Sequence, residues 1–196
     1  MIAAPAKDLL DWLNRFAYIE EARYSNSDFA ADAAESFLSK LISHGTTSAL
    51  AFSSVHKGAA DCLFQAADKR GMCLITGKTM MDRNAPNSVL DTVETSARDS
   101  ADLIAKWHQT GRMRYAITVR FAVTSTDAQL QAAGELYRDY PDCLMHTHIS
   151  ESVGEIEVHA LQDGEVVYLR DVAQISESQK QQGRLGLRHG KPAIEL

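Results

Sequence analysis

The sequence predicts an α/β fold in which helices alternate with the short strands of a parallel sheet. Four segments repeat apolar residues at helical spacing, and short apolar runs lie between them. The regular alternation is the third observation, because strand–helix–strand units at this spacing pair in parallel through right-handed crossovers.

The first helix is read from Phe29, where Phe29, Ala33, Phe37 and Leu41 recur four apart and Ala30, Ala34, Leu38 and Ile42 follow one step round. Gly45 is the expected stop, since glycine takes the left-handed turn that ends helices. Ser48 to Val55 reads as a buried strand. Gly58 to Arg70 is helical again, Gly71 ends it, and Met72 to Thr76 is a continuous apolar strand. Asp91 with Glu94 resembles a capping box ahead of a helix that buries Ala97, Leu103, Ile104 and Trp107 and ends near Gly111. Arg114 to Val119 is the next strand. Thr126 with Gln129 forms a second capping box, opening a helix through Leu130, Ala133, Leu136 and Tyr137. Pro141 closes that region, because proline disfavours helix in the residue before it. Cys143 to Thr147 is the last strand. From about Leu161 the pattern changes: Ser176 to Gln182 is polar and no strong periodicity returns. The reading is therefore a first domain over 1–160 and a divergent tail over 161–196 with no structure assigned to it.

A chain of 196 residues with 45% apolar types suits one ordinary domain. Twenty Lys+Arg against 26 Asp+Glu leave a net charge of -6, which excludes the clustered positive charge that nucleic acid or an anionic membrane surface requires. No run approaches the ~20 apolar residues of a spanning helix, and Met1 to Leu10 lacks the charged leader and apolar stretch of a secretory signal. Cys62, Cys73 and Cys143 are odd in number and widely spaced, which argues against a disulfide framework and a cysteine zinc cluster. A cytoplasmic protein is expected.

In parallel α/β proteins the chemistry sits where loops leave the carboxyl ends of strands. Those ends carry Lys78, Met81, Asp82, Arg83 and Asn84 after the second strand, Arg120 and Phe121 after the third, and His148 and Glu151 after the fourth. His146 and His148 alternate onto one face. An imidazole with a carboxylate three residues on suits a divalent metal and a proton acceptor. The same spacing also fits strand-edge polar groups that are merely solvated, and one segment supplies too few ligands for catalytic zinc. Arg120 can clamp a carbonyl or carboxylate with its planar fork, or reach solvent, or pair with an acidic neighbour. Asp82 and Arg83 can form a surface ion pair of small value. His44 suits a helix C-terminus, His108 reads as structural or exposed, and His56 is a weaker site candidate.

The segments HGTTSALAF with VH, GKTMMDRN and the helix behind it, YAITVRF, and HTHISE resemble the guanine deaminase family of the amidohydrolases, over about Leu9 to Ile156. The resemblance implies a partial TIM-like (β/α)8 barrel of the amidohydrolase type, carrying about strands two to five with their helices. It implies zinc-dependent hydrolysis of guanine to xanthine and ammonia. It assigns His148 to the zinc and beside the purine, Glu151 to proton transfer, and Arg120 and Phe121 to purine contact. His189, followed by Gly190, stands at the separation of a further zinc histidine. One zinc ion, a small-molecule purine substrate and a homodimer are implied for the complete family member. The chain departs from the pattern in four places. Val119 precedes Arg120 where the family has proline, and His146 replaces a glutamine. The first HxH motif and the late aspartate ligand would lie outside Met1 to Leu196. The chain is therefore expected to be an incomplete product of the family, with exposed sheet edges that favour poor solubility or assembly. The alternatives are another amidohydrolase acting on an amino- or chloro-heterocycle, or a non-catalytic fragment.

Overall fold

The computed structural model describes residues 5–149 in full and the backbone of 185–188 and 191–194. The chain divides into two units, Met1–Val158 and His159–Leu196.

In the first unit the parallel strands β1 (Ser48–Leu50), β2 (Cys73–Thr76), β3 (Thr79–Met80), β4 (Met113–Val119) and β5 (Leu144–His146) alternate with helices α3 (Ser27–Ser43), α4 (Lys57–Lys69), α5 (Val93–Trp107) and α6 (Asp127–Asp139). β1 pairs with β2, β2 and β3 pair with β4, and β4 pairs with β5, all in parallel. Strands consecutive in the chain are thus neighbours in the sheet, as βαβ units require. β2 and β3 form one strand in effect. Thr76 lies against Tyr115 and Thr79 against Thr118, so the register is unbroken across Gly77 and Lys78. Gly77 is needed there, because a Cβ would sit 1.8 Å from the Ala116 carbonyl oxygen.

Strand alternation sorts the two faces. Leu74, Met113, Tyr115, Ile117 and Val119 join Leu38, Phe64, Leu103, Trp107 and Leu136 of the helices in the main core. The opposite face carries Ala116, Thr118 and Thr79, all fully buried. The sheet curls about that face. Phe52 follows β1 and His146 ends β5, strands that a flat sheet would hold about 14 Å apart, yet their ring centroids are 4.3 Å apart. At the outer strands Leu50, Leu144 and Met145 are exposed, the apolar edges that the sequence predicts.

The helix limits follow the sequence closely, with Gly45 and Gly71 at positive φ past the ends of α3 and α4. Three expectations are corrected. The first strand stops at Leu50, because beyond Ala51 the chain turns to carry Phe52 and Ser53 over the strand ends. The capping box of α5 is Thr92 with Thr95 rather than Asp91 with Glu94; Asp91 is turned instead to the Lys78 ammonium and the Ser96 hydroxyl. At α6, Thr126 accepts from the Gln129 N–H, but the Gln129 amide reaches Ser96 instead of closing the box. The segment before Phe29, which no periodicity resolved, is helical almost throughout: α1 (Leu9–Trp12), a π-turn (Leu13–Ala17), α2 (Tyr18–Glu21) and a 3-10 turn (Ala22–Ser25).

In the second unit, β6 (Leu185–Arg188) and β7 (Lys191–Ile194) pair as an antiparallel hairpin. These strands lie in the tail to which the sequence assigned no structure. Strands of four residues are too short to show a period.

Candidate functional site

β4 alternates so that Ala116, Thr118 and then Arg120 address the inner face, while Lys78 lies in register with Ile117 and addresses the helices. This separates two residues that the sequence placed together. Lys78 is buried in a pair with Asp91 and takes no part in the cavity, whereas Arg120 lines it.

The cavity has a volume of about 650 Å³ and is walled by the N-terminal helical segment, α3, the Phe52–Ser54 loop, Arg120, Phe121 and His148. Its walls are mostly apolar, with a small set of polar groups, the pattern of small-molecule sites. Arg120 is held from three sides. Its N–H donates to the Met80 carbonyl at 3.2 Å, its Nη2 pairs with Glu21, and its guanidinium lies 5.6 Å from the centroid of the Tyr18 ring. Glu21 is itself anchored, since its other oxygen accepts the Val55 N–H at 3.0 Å. Arg120 Nε is buried without a partner among the described residues. Such an orphaned donor is costly unless a ligand or water completes it.

β5 delivers His148 to the same place. The His148 N–H donates to the Arg120 carbonyl at 3.1 Å, joining the ends of the two strands. The rings of His146 and His148 both pack on Phe52, at 4.3 and 4.2 Å between centroids, so they share a face as alternation predicts. Burial holds His146 below the usual histidine range, helped by His148 beside it. Phe121 is almost fully buried among Leu13, Tyr18, Met81 and Val123 and lines the cavity.

The Met81–Asp82–Arg83–Asn84 run braces this wall. The Asp82 and Arg83 N–H groups donate to the Thr124 carbonyl. Asp82 accepts from the Thr126 N–H at 2.7 Å and its hydroxyl at 2.5 Å. Arg83 reaches the Ala122 carbonyl and Asn84 the Val123 carbonyl. Asp82, Arg83 and Asn84 thus clamp the loop that carries Phe121. His108 is structural, accepting the Tyr115 N–H on Nδ1. His56 stands half-buried before α4, held below its usual range by burial. Glu151 and His189 lie outside the described residues.

Sequence reasoning missed Glu21, Tyr18 and Phe52. Glu21 lies 99 residues from its arginine, and no local period marks that distance. The one signal was the pairing option left open for Arg120.

Among the described residues no three His, Cys, Asp or Glu side chains converge as a metal ligand set. His148 alone of the described histidines lines the cavity, against the three protein ligands of a catalytic zinc. The described residues therefore do not fit a complete zinc site. Among them, too, no helix is long and apolar enough to cross a membrane.

Comparison with known proteins agrees with this architecture. Guanine deaminase of Escherichia coli is 45% identical over 156 residues, which are 80% of this chain and 36% of that protein. A solved structure of E. coli guanine deaminase superposes with a TM-score of 0.80 at 44% identity, covering 82% of this chain and 37% of that one. The structure of guanine deaminase from C. acetobutylicum with bound guanine gives a TM-score of 0.75 at 31% identity, over 79% of this chain and 37% of that one. The atrazine chlorohydrolase TrzN from Arthrobacter aurescens, complexed with zinc, shares the fold at 17% identity and a TM-score of 0.71, over 84% of this chain and 40% of its own. The curled sheet is thus part of a TIM-like barrel, and this chain spans about a third of the length of its guanine deaminase relatives. Since residues 1–174 match the amidohydrolase family, the chain belongs to that family.

Proposed function

We propose that this chain builds the purine-recognition wall of a guanine aminohydrolase, converting guanine and water to xanthine and ammonia. One observation carries the reading: Arg120 and His148, delivered by neighbouring strands and joined through a backbone hydrogen bond, line a single largely apolar cavity. The similarity to guanine deaminases supports it.

In this reaction a C–O bond forms at C2 of the purine, and the C–N bond to the exocyclic amine breaks. Arg120 donates to the acceptors on the ring and holds it in one orientation, a preorganised electrostatic role. Phe121 supplies the apolar wall that keeps the flat heterocycle in reacting geometry. His148 stands beside the ring and is the residue offered to a metal. Glu151, three residues on, carries one proton of the attacking water to the ring nitrogen, and then the proton of the new C2 hydroxyl to the departing amine. His189 is proposed as a second imidazole for the metal. A zinc ion held by these imidazoles, with further ligands, would make a bound water acidic near neutral pH. A cytoplasmic location and a homodimer of the whole protein belong to the same proposal.

The test uses the full chain with added zinc. Guanine binding is measured by equilibrium dialysis, and ammonia release by a coupled assay. Saturable binding that Arg120→Ala weakens about tenfold or more supports the recognition role; a chain that takes up no guanine overturns it. Ammonia release that Glu151→Gln abolishes supports the proton-transfer role, and turnover unaffected by Glu151→Gln overturns that assignment.

A further inference from the structure

The charges around the cavity are paired in a way that purine recognition alone does not require. Among the described residues its two carboxylates each face an arginine: Glu20 accepts from Arg23 at 2.7 Å, and Glu21 pairs with Arg120. The second pair is close to buried, with side chains 12% and 11% exposed. Glu21 arrives from the N-terminal helical segment, and the Val55 N–H fixes its free oxygen at 3.0 Å. A guanidinium that faced the cavity alone would attract any anion. With the carboxylate against it, the pair carries no net charge, and Arg120 keeps an Nε–H, unpartnered among the described residues, as a directional donor.

We propose that Glu21 is a specificity-determining residue, which cancels the charge of Arg120 and restricts the cavity to uncharged heterocycles. This rests on the purine reading above. Its consequence is discrimination between substrate and product. Guanine is neutral at physiological pH, whereas xanthine carries a second ring carbonyl that makes its N–H groups more acidic, and its anion would otherwise linger on Arg120. Electrostatic discrimination of this kind works by repulsion of the wrong partner as much as by attraction of the right one.

The experiment compares the full wild-type chain with Glu21→Gln and Glu21→Asp at neutral pH. Equilibrium dialysis measures hypoxanthine, a neutral purine without the reacting amine, and urate, a purine that is then a monoanion. The wild-type chain is expected to prefer hypoxanthine. Glu21→Gln keeps an oxygen for the Val55 N–H but loses the charge, and should move the ratio of affinities about tenfold or more toward urate. Glu21→Asp restores the charge and should return the ratio most of the way. An unchanged ratio in a Glu21→Gln protein that still binds hypoxanthine overturns the proposal and leaves the purine reading intact. A gain of urate binding by the variant, with no purine bound by the wild type, supports charge cancellation and overturns the purine reading. Absence of binding to every form overturns both. A second arm needs no variant: hypoxanthine binding by the wild type should not fall as chloride is raised, and a steep fall would show that Arg120 is electrostatically open.

Discussion

Replacing Arg120 by methionine removes one partner of a nearly buried ion pair and leaves the other in place. Glu21 keeps the Val55 N–H at 3.0 Å but loses its countercharge in a wall where its side chain is only 11% exposed. Breaking such a pair costs about 3–5 kcal/mol, because an uncompensated charge remains in a poorly solvated place. Residual exposure of both groups and the retained amide bond place the expected loss at the lower end, about 3 kcal/mol. Glu21→Gln leaves the arginine uncompensated and should cost about 3 kcal/mol, since its one amide oxygen serves the Val55 N–H and its nitrogen cannot accept from the guanidinium. The double variant carries neither charge, so its loss should be about 2 kcal/mol smaller than the sum of the two single losses. Urea unfolding of all four proteins, followed by circular dichroism, measures this coupling. Additivity to within about 0.5 kcal/mol would show that the two groups do not interact in the folded protein, and the account of the cavity would fail.

Asp82→Ala should cost about 1–2 kcal/mol, because the carboxylate accepts both the N–H and the hydroxyl of Thr126 at the start of α6; thermal melting reads the loss. Gly77→Ala should abolish soluble folded protein or cost more than about 3 kcal/mol, since the new methyl meets the Ala116 carbonyl at 1.8 Å; expression and circular dichroism decide. Acid should destabilise the chain before its carboxylates titrate. Burial lowers His56 and His108 from the usual 6.5, so above that value both states are neutral, and below it the unfolded chain takes up protons first. The melting temperature should fall as pH drops through and below about 6.5, and His56→Gln with His108→Asn should flatten that slope.

Much of this architecture was legible in the sequence, because the elements obey local rules. The period through Phe29, Phe37 and Leu41 gives α3, glycines end α3 and α4, and the apolar run through Leu74 gives β2. Arg120 and His148 were legible as strand-end residues, and a sheet of consecutive neighbours brings them to one cavity. Glu21 was not. Its role depends on a tertiary contact with a residue far along the chain, and nothing in the run Tyr18–Ile19–Glu20–Glu21 separates the glutamate that faces Arg120 from the one that faces Arg23. Lys78 misled for a simpler reason: strand alternation turns it to the helices, and a shift of one residue would have turned it inward. Asp91 was drawn from the expected capping box by the ammonium of Lys78, a stronger partner than an exposed backbone N–H.

The bond between Glu21 and Arg120 joins residues 99 positions apart. Contacts of such long loop closure form late, after the entropy of the intervening chain has been lost to nearer pairings. The strand–helix units between them can condense from neighbouring contacts, but the bond from Glu21 to Arg120 can close only once β4 is seated. This wall of the cavity is therefore expected to be completed late as the chain folds. In hydrogen exchange the Val55 amide, held by Glu21, should open with that wall, ahead of the β4 amides behind it.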